Sequence, residues 1–313
     1  MGTKKRIYSD LAVPPGEYLA EVLEAKGLTQ AELARRIGRP TQAVNEIIKG
    51  DKALTPATAL QLERALDVPA HIWIGLESRY RLVKAKEEEK ALIQKEVSHL
   101  PSTPYEKLAE LGCVERTRDD RHKVRELHRF YGVSSLRNLP ETRAYARPFR
   151  YGPKRGIAAS YALAAWLRCA EMKAAETPAG DFSKAKLRAA LAGIAVMANK
   201  NAPGCLSGLT KLLAECGVVL VLLPSFPSGS AIGATFWLRP DKAVLLISSR
   251  DLGDDIFWAR LFHGIGHLLL HRRTTFICGG AVDPEVEVFE KEANDFAARM
   301  VGNRGPARPG GLR

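Results

Sequence analysis

The sequence is poor in cysteine, and its cysteines are scattered. The 313 residues include five, an odd number, and no two of them form a CxxC pair. A disulfide framework needs paired cysteines, and a zinc site built on thiolates normally shows them at short spacing. We therefore expect a protein of the reducing cytoplasm, with neither a disulfide scaffold nor a thiolate zinc site.

Long apolar stretches are also missing. No run approaches the roughly 20 residues that cross a bilayer, and the lysines of the opening MGTKKRIYSD are followed by no apolar core of a signal peptide. With 46% hydrophobic and 26% charged residues, the composition is typical of a soluble globular protein with two or three domains. We expect no membrane association.

Negative charge is scarce relative to positive charge. The net charge is +12, and residues 83–160 carry the largest share, with 17 Lys and Arg against 11 Asp and Glu. Such an excess favours a polyanionic partner, although a solvated helix face explains it equally well.

Residues 28–50 show two short helical patterns separated by a glycine. In GLTQAELARRIG, Thr29 and Glu32 have the spacing of a capping box, and Gly38 ends the helix. The next segment, PTQAVNEIIKG, is amphipathic with a polar face. Another helix is expected to begin at Thr55 and Pro56.

The polar face of that second segment predicts contact with double-stranded DNA. Gln and Asn pair with adenine in the major groove, Thr contacts a base edge or phosphate, and flanking basic residues hold phosphates. The candidate DNA-binding residues are Arg39, Thr41, Gln42, Asn45 and Lys49.

The stretch from PPGEYLAEVLEAKGLTQ through ALDVPAHIW, residues 14–73, resembles the HigA-type antitoxin branch of the XRE helix-turn-helix proteins. The resemblance implies a DNA-binding domain over residues 1–82 that acts as a homodimer. A small helical bundle used only for protein contacts is the alternative.

Residues 83–190 have helical periodicity and are predicted to form a helical connector. From residue 191 to 301 the pattern changes. VVLVLLPSF predicts a buried strand, and AIGATFWLR and KAVLLISSR predict a hairpin. A helix, DDIFWARLFHGIGHLLLHRR, follows. The predicted fold class is mainly α with a small β-sheet: an all-α helix-turn-helix domain, a helical connector and an α+β zincin-like domain.

Two histidines of that helix have the spacing of metal ligands. His263 and His267 lie one turn apart on one face, as Zn²⁺ requires. His271 lies two turns from His263, roughly 12 Å along the axis, too far for the same ion. On the segment EVFEKEANDFAARM, Glu290 is nearest the apolar stripe and is the predicted third ligand, with Asn294 supporting it.

The segment GATFWL…LLISSRDLGDDIFWARLFHGIGHLLLH with EKEANDFAARM resembles the ImmA/IrrE zinc metallopeptidases. The resemblance implies His263, His267 and Glu290 as ligands of a Zn²⁺ cofactor. It departs from the family at Gly264, which stands where the HExxH motif has its general-base glutamate, and at residues 302–313, a Gly/Pro/Arg-rich stretch expected to be disordered.

The missing glutamate should impair catalysis without preventing metal binding. Loss of a positioned acid/base costs on the order of 10²–10⁴-fold in rate, while the ligands survive. We expect a DNA-binding regulator with an impaired zinc-peptidase-like sensory domain. The alternatives are an active protease that cleaves a repressor-like protein, with a base borrowed from Asp283, Glu285 or Glu287, and an antitoxin that binds a partner toxin directly.

Overall fold

The computed structural model describes most of the chain, in two compact units that divide between Lys95 and Glu96. The described residues are 13–142, 156–199, 202–229, 231–249, 253–279 and 287–302. Among them, no helix is both long and apolar enough to cross a membrane. The tail predicted to be disordered is residues 302–313, and the part of it beyond Gly302 lies outside the described residues.

The first unit is helical, as predicted. Its helices are α1 Pro15–Ala25, α2 Gln30–Arg36, α3 Thr41–Ile48, α4 Pro56–Leu66 and α5 Ala70–Glu96. The predicted N-caps at Thr29 and Thr55 are confirmed, although the Glu32 carboxylate of the predicted capping box accepts from Arg35 and Arg36. Thr29 Oγ1 accepts from the Glu32 backbone N–H at 3.1 Å, and Thr55 caps α4 with Pro56 at its first position. The apolar sides of these helices close on one core around Leu33, Val44, Leu62 and Trp73.

The second unit begins with short helices and continues with longer ones. Two 3₁₀ turns, Val97–Ser102 and Leu136–Glu141, accompany α6 Tyr105–Glu110 and α7 Asp120–Tyr131. The remaining helices are α8 Ile157–Glu176, α9 Lys184–Met197, α10 Ala202–Glu215, α11 Asp254–Leu270 and α12 Glu287–Gly302.

A four-stranded mixed sheet lies within this unit. Its strands are β1 Val218–Leu223, β2 Gly233–Arg239, β3 Lys242–Ser248 and β4 Phe276–Cys278, in the order β1-β3-β2-β4. The predicted buried strand is β1, which is parallel to β3, and the predicted hairpin is β2–β3. Together with the helices this confirms the mainly α fold with a small sheet. β4, which pairs with β2, was not predicted.

The side chains of β3 alternate between two cores because successive residues of a strand point to opposite faces. Val244 and Leu246 join the helices α6 to α8, while Ala243, Leu245 and Ile247 face α9, α10 and α11. The sheet is therefore covered by helices on both faces, and one of its faces packs directly under α11.

The predicted domain boundaries do not coincide with spatial divisions. The boundary at 82/83 falls inside α5, and that at 190/191 falls inside α9. Buried residues of the predicted connector between Tyr105 and Ala174 share one core with the sheet. That these boundaries mark the limits of homologous domains stays a prediction.

The helix that carries the histidines is fixed at both ends. At its start, Asp254 Oδ1 accepts from the Ala202 backbone N–H at 3.0 Å, and the acidic pair Asp254 and Asp255 complements the helix dipole. At its end, the Lys184 ammonium donates to the carbonyl of Leu269 at 3.0 Å, which satisfies an acceptor that the helix itself leaves open.

Candidate functional site

The first candidate site is the helix pair α2–α3. Gly38, with φ +64°, ends α2 in the left-handed conformation that glycine adopts without strain. The buried side of α3 consists of Ala43, Val44 and Ile47. The close approach of α1 to the end of α3 fixes its position: a Cβ on Gly16 would lie 2.2 Å from the Ile48 carbonyl oxygen.

The candidate DNA-binding residues lie together along α3 and its flanks. Thr41, Gln42 and Lys49 are exposed, while Asn45 and Arg39 are half-buried. Their donors are held in place: Gln42 Nε2 donates to Glu46 at 3.0 Å, Asn45 Nδ2 to Gln30 at 3.3 Å, and Arg39 Nε to Gln61 at 2.7 Å.

These contacts pre-order the polar face. Asn45 is tied to α2 through Gln30, and Arg39 to α4 through Gln61, so both side chains lose less freedom on meeting DNA. Gln42 reaches only along its own helix and remains free to turn outward. Gln30 and Gln61 were not predicted to belong to this site, because each contributes through a contact between helices that the pattern of residues along the chain does not show.

The second candidate site is a cluster of metal-binding side chains under α11. One donor atom from each of His263, His267, Glu290 and Cys278 lies within 4.8 Å of all the others. The Nε2 atoms of the two histidines are 3.0 Å apart. Glu290 Oε2 lies 3.3 Å from Nε2 of His263, and its Oε1 lies 3.4 Å from Nε2 of His267. The structure thus brings the three predicted ligands together.

Hydrogen bonds behind the histidines set their protonation. The Glu292 carboxylate only accepts, so Nε2 of His271 donates to it at 2.9 Å. Nδ1 of His271 then accepts from Nδ1 of His267 at 3.0 Å, and Nδ1 of His263 donates to Asn294 Oδ1 at 2.9 Å. Both Nε2 atoms keep a lone pair for the centre of the cluster.

Asn294 therefore has a different partner from the one predicted, and His271 has partners for which no prediction was made. His271 is too far along the helix to bind the same ion as His263, as expected, but it is buried behind His267 and orients it. Asn294 was expected to support Glu290, and its contact in the structure is with His263.

The electrostatics of the cluster favour a cation at its centre. Burial by itself raises the pKa of Glu290, but the imidazoles of His263 and His267, when they carry a proton toward its carboxylate, outweigh burial and lower that pKa to about 2. Burial lowers the pKa of His267 and favours its neutral, metal-binding form. Glu290 Oε1 is buried and has no hydrogen-bond partner. An ionised carboxylate with an unsatisfied oxygen, facing two lone pairs, fits a divalent ion such as Zn²⁺.

Gly264 lies against the sheet beside this cluster. A Cβ at this position would come within 2.0 Å of Leu245 Cδ1 and 3.4 Å of Thr235 Cγ2. Both Gly264 and Leu245 line a cavity of about 510 Å³ that also borders His263 and Glu290. The position of Gly264 therefore faces the apolar parts of Leu245 and Thr235.

Of the three acids that the sequence left open as a borrowed base, Glu287 belongs to the described residues. Glu287 is exposed at the first position of α12. Asp283 and Glu285 lie outside the described residues.

A family model described as helix-turn-helix matches residues 19–73. A curated relative, virulence-associated protein I of Dichelobacter nodosus, is 30% identical over 82 residues, which span 26% of this chain and 76% of the relative. The chain belongs to the helix-turn-helix family. The matched stretch contains α2 and α3, and we call Met1–Lys95 the helix-turn-helix unit from here on.

Solved antitoxin structures are also similar to part of the chain. A HigA-family antidote protein from Coxiella burnetii is 30% identical and covers 27% of this chain and 94% of its own, with a TM-score of 0.25. The Pseudomonas aeruginosa antitoxin HigA, solved with the higBA promoter, is 30% identical and covers 28% and 95%, with a TM-score of 0.26.

Cys278 is the residue of the metal cluster that sequence reasoning missed. It stands alone in the chain, with no second cysteine near it, so the argument from cysteine spacing set thiolates aside. Only the pairing of β4 with β2 brings it under α11. Alternation in TTFIC was the available signal: Phe276 and Cys278 are two residues apart and share one face of a strand.

Proposed function

We propose that this protein is a DNA-binding transcription regulator of the antitoxin type, whose second unit holds Zn²⁺ as a sensory or structural ion without hydrolysing peptides. The observation that carries the proposal is the exposed polar face of α3, within a helix-turn-helix that is packed and capped as a DNA-reading pair requires. The antitoxin assignment is supported by the resemblance of residues 14–73 to HigA-type proteins.

DNA recognition follows from the chemistry of the α3 face. Gln42 and Asn45 offer the paired donor and acceptor that adenine presents in the major groove. Thr41, at the helix start, and Arg39 and Lys49, on the flanks, are placed to contact phosphates. One helix-turn-helix per chain reads one half-site, so we expect a homodimer on a palindromic operator in the cytoplasm.

The second site supports the proposal that the protein binds zinc without hydrolysing peptides. His263, His267 and Glu290 converge with their donor atoms free, and the ion that they would hold supplies a strong positive charge. Hydrolysis needs a base to take a proton from water, and the apolar contact of Gly264 with Leu245 leaves none at that position. A partner toxin bound by direct contact is compatible with this proposal and depends on the same resemblance.

DNA binding is tested by selecting sequences from a random double-stranded library with the full-length protein. The double variant Gln42→Ala, Asn45→Ala is expected to lose specific affinity by roughly 10²-fold or more, since each good base contact contributes about 1–3 kcal/mol. Gln94→Ala, which changes an exposed glutamine of α5, is the matched control. Arg39→Ala is expected to lower the salt dependence of binding instead. Selection of no sequence over random competitor would overturn the proposal.

The absence of peptidase activity is tested with the zinc-loaded protein and a mixture of unstructured protein substrates. We expect no metal-dependent cleavage. Gly264→Glu combined with Leu245→Ala, which makes room for the new side chain, is the positive comparison. Cleavage by the unmodified protein that chelation abolishes would contradict the proposal.

A further inference from the structure

Cys278 adds a fourth donor to the proposed zinc site. Its side chain is buried at the end of β4, with Sγ 3.1 Å from Nε2 of His263 and 3.8 Å from Nε2 of His267. The sulfur therefore approaches the same two nitrogen atoms that Glu290 approaches from α12. Nothing in the predicted three-ligand set requires a thiol at this place.

The distances between the donor atoms match the edges of a tetrahedron. Zinc binds imidazole nitrogen at about 2.0–2.1 Å and sulfur at about 2.3 Å, so tetrahedral geometry places two nitrogens roughly 3.3 Å apart and a nitrogen and a sulfur roughly 3.6 Å apart. The observed nitrogen–nitrogen distance is 3.0 Å, and the nitrogen–sulfur distances are 3.1 and 3.8 Å. The Glu290 carboxylate approaches the two nitrogens with different oxygens, Oε2 at 3.3 Å from His263 and Oε1 at 3.4 Å from His267, and one donor atom of each of the four residues lies within 4.8 Å of the others.

The sheet fixes Cys278 in this position. Its backbone pairs with Gly233 of β2, and its carbonyl accepts from the Ile232 N–H at 2.9 Å. Phe276, on the same face of β4, stacks on His267 with ring centroids 4.2 Å apart and planes at 19°. The thiol and the imidazole are thus held by one rigid contact between β4 and α11.

We propose that Cys278 is the fourth zinc ligand, so that His263, His267, Glu290 and Cys278 form a closed tetrahedral site. The inference rests on the proposed function, which places zinc on the first three residues. Catalytic zinc sites keep one position open for water, whereas four protein ligands leave none. The ion then joins α11, β4 and α12, and its release would loosen the packing of α12.

The test is cobalt(II) substitution of the full-length protein, followed by absorption spectroscopy and competition with zinc. We expect one metal per chain, an intense tetrahedral d–d spectrum and a thiolate-to-cobalt charge-transfer band in the near ultraviolet. Cys278→Ser is expected to lose that band and to bind zinc about 100-fold more weakly, because one of four ligands is replaced by a poor one. Cys216→Ser, a second buried cysteine, is the control and should behave as the unmodified protein.

The outcomes separate this inference from the proposed function. Tight zinc binding that needs His267 but survives Cys278→Ser, with no thiolate band, overturns the fourth ligand and leaves the three-ligand site intact. Failure of the unmodified protein to bind zinc or cobalt overturns both. If Cys278→Ser unfolds, two measurements still decide the question. The first is zinc binding by Cys278→Ala, with its folding checked by circular dichroism, and the second is the thiolate band of the unmodified protein.

Discussion

The helix-turn-helix unit displays its candidate site on one helix of eight residues, Thr41–Ile48, and its immediate flanks. The second unit assembles its site from α11, β4 and α12, which bring Cys278 and Glu290 to the two histidines. A surface site needs only that one helix face be polar. A buried site needs every donor to be positioned and satisfied, since an unpaired buried polar group is costly. Substitutions should therefore affect function and stability separately in the first unit and together in the second.

Gly16→Ala tests how far the surface site depends on packing below it, and we expect the largest effect. The added Cβ would lie 2.2 and 2.4 Å from the carbonyl oxygens of Ile48 and Ile47, which are backbone atoms of the DNA-reading helix. We expect a loss of about 3 kcal/mol in the free energy of unfolding of the helix-turn-helix unit, measured by thermal denaturation.

Gly75→Ala is the control for Gly16→Ala. Gly75 is an exposed position of α5 where a Cβ meets no atom within 4 Å. Alanine there should stabilise the unit by about 0.5–1 kcal/mol through helix propensity. Equal effects of the two variants would show that the α1–α3 contact is unimportant.

Glu96→Gln examines a buried polar group of the second unit that has no part in the metal site. The Glu96 carboxylate accepts hydrogen bonds from His128 Nε2 at 2.6 Å, Ser135 Oγ and the Leu136 N–H at 3.1 Å. We expect destabilisation by about 2 kcal/mol at neutral pH, with zinc affinity unchanged. The exposed Glu88→Gln should change neither quantity.

Acid should act on the same group. Burial raises the pKa of Glu96, but the hydrogen bonds from Ser135, His128 and Leu136 outweigh it, so the pKa lies below its ordinary value of 4.5. A lowered pKa gives stability that is complete above pH 4.5 and is lost as the pH falls through the folded-state pKa. Denaturant titrations of the unmodified protein and Glu96→Gln should therefore converge below pH 4.5; parallel curves would contradict this role.

Glu292→Gln weakens the support behind the metal site without removing a ligand. The amide no longer fixes the hydrogen on Nε2 of His271, so His271 orients His267 less strictly. We expect zinc affinity to fall about tenfold, measured by competition with a chelating dye. Asp295→Asn removes the same charge from an exposed position of α12 and should leave the affinity unchanged if orientation, rather than net charge, is the cause.

Gly266→Ala tests the helix crossing that delivers Glu290, and we expect the smallest change. The new Cβ would lie 3.2 Å from both Ala293 Cα and Phe296 Cδ1, so α12 must move outward by a few tenths of an ångström. We expect a net cost of about 1 kcal/mol after the gain in helix propensity, and a severalfold loss of zinc affinity.

Gly264→Ala is the comparison for Gly266→Ala. Its Cβ would meet a Leu245 methyl beside a cavity into which that methyl can turn, and it does not face α12. Zinc affinity should stay as in the unmodified protein. A greater loss of zinc from Gly264→Ala than from Gly266→Ala would mean that the crossing does not position Glu290.

The features of this protein that could be predicted from its sequence are those that depend on neighbours along the chain. The caps at Thr29 and Thr55, the amphipathic α3 and the four-residue spacing of His263 and His267 are all local, because a helix repeats every 3.6 residues. The hairpin β2–β3 and the buried β1 also follow from runs of apolar residues.

The contacts that those local elements make with distant segments depend on the tertiary structure. It paired β4 with β2 and so brought Cys278 to the histidines, placed His271 behind His267, and put Leu245 against Gly264. It also joined the predicted connector to the core of the sheet. Contacts between distant segments are set by which faces can be buried together, and no periodicity along one segment records its partner.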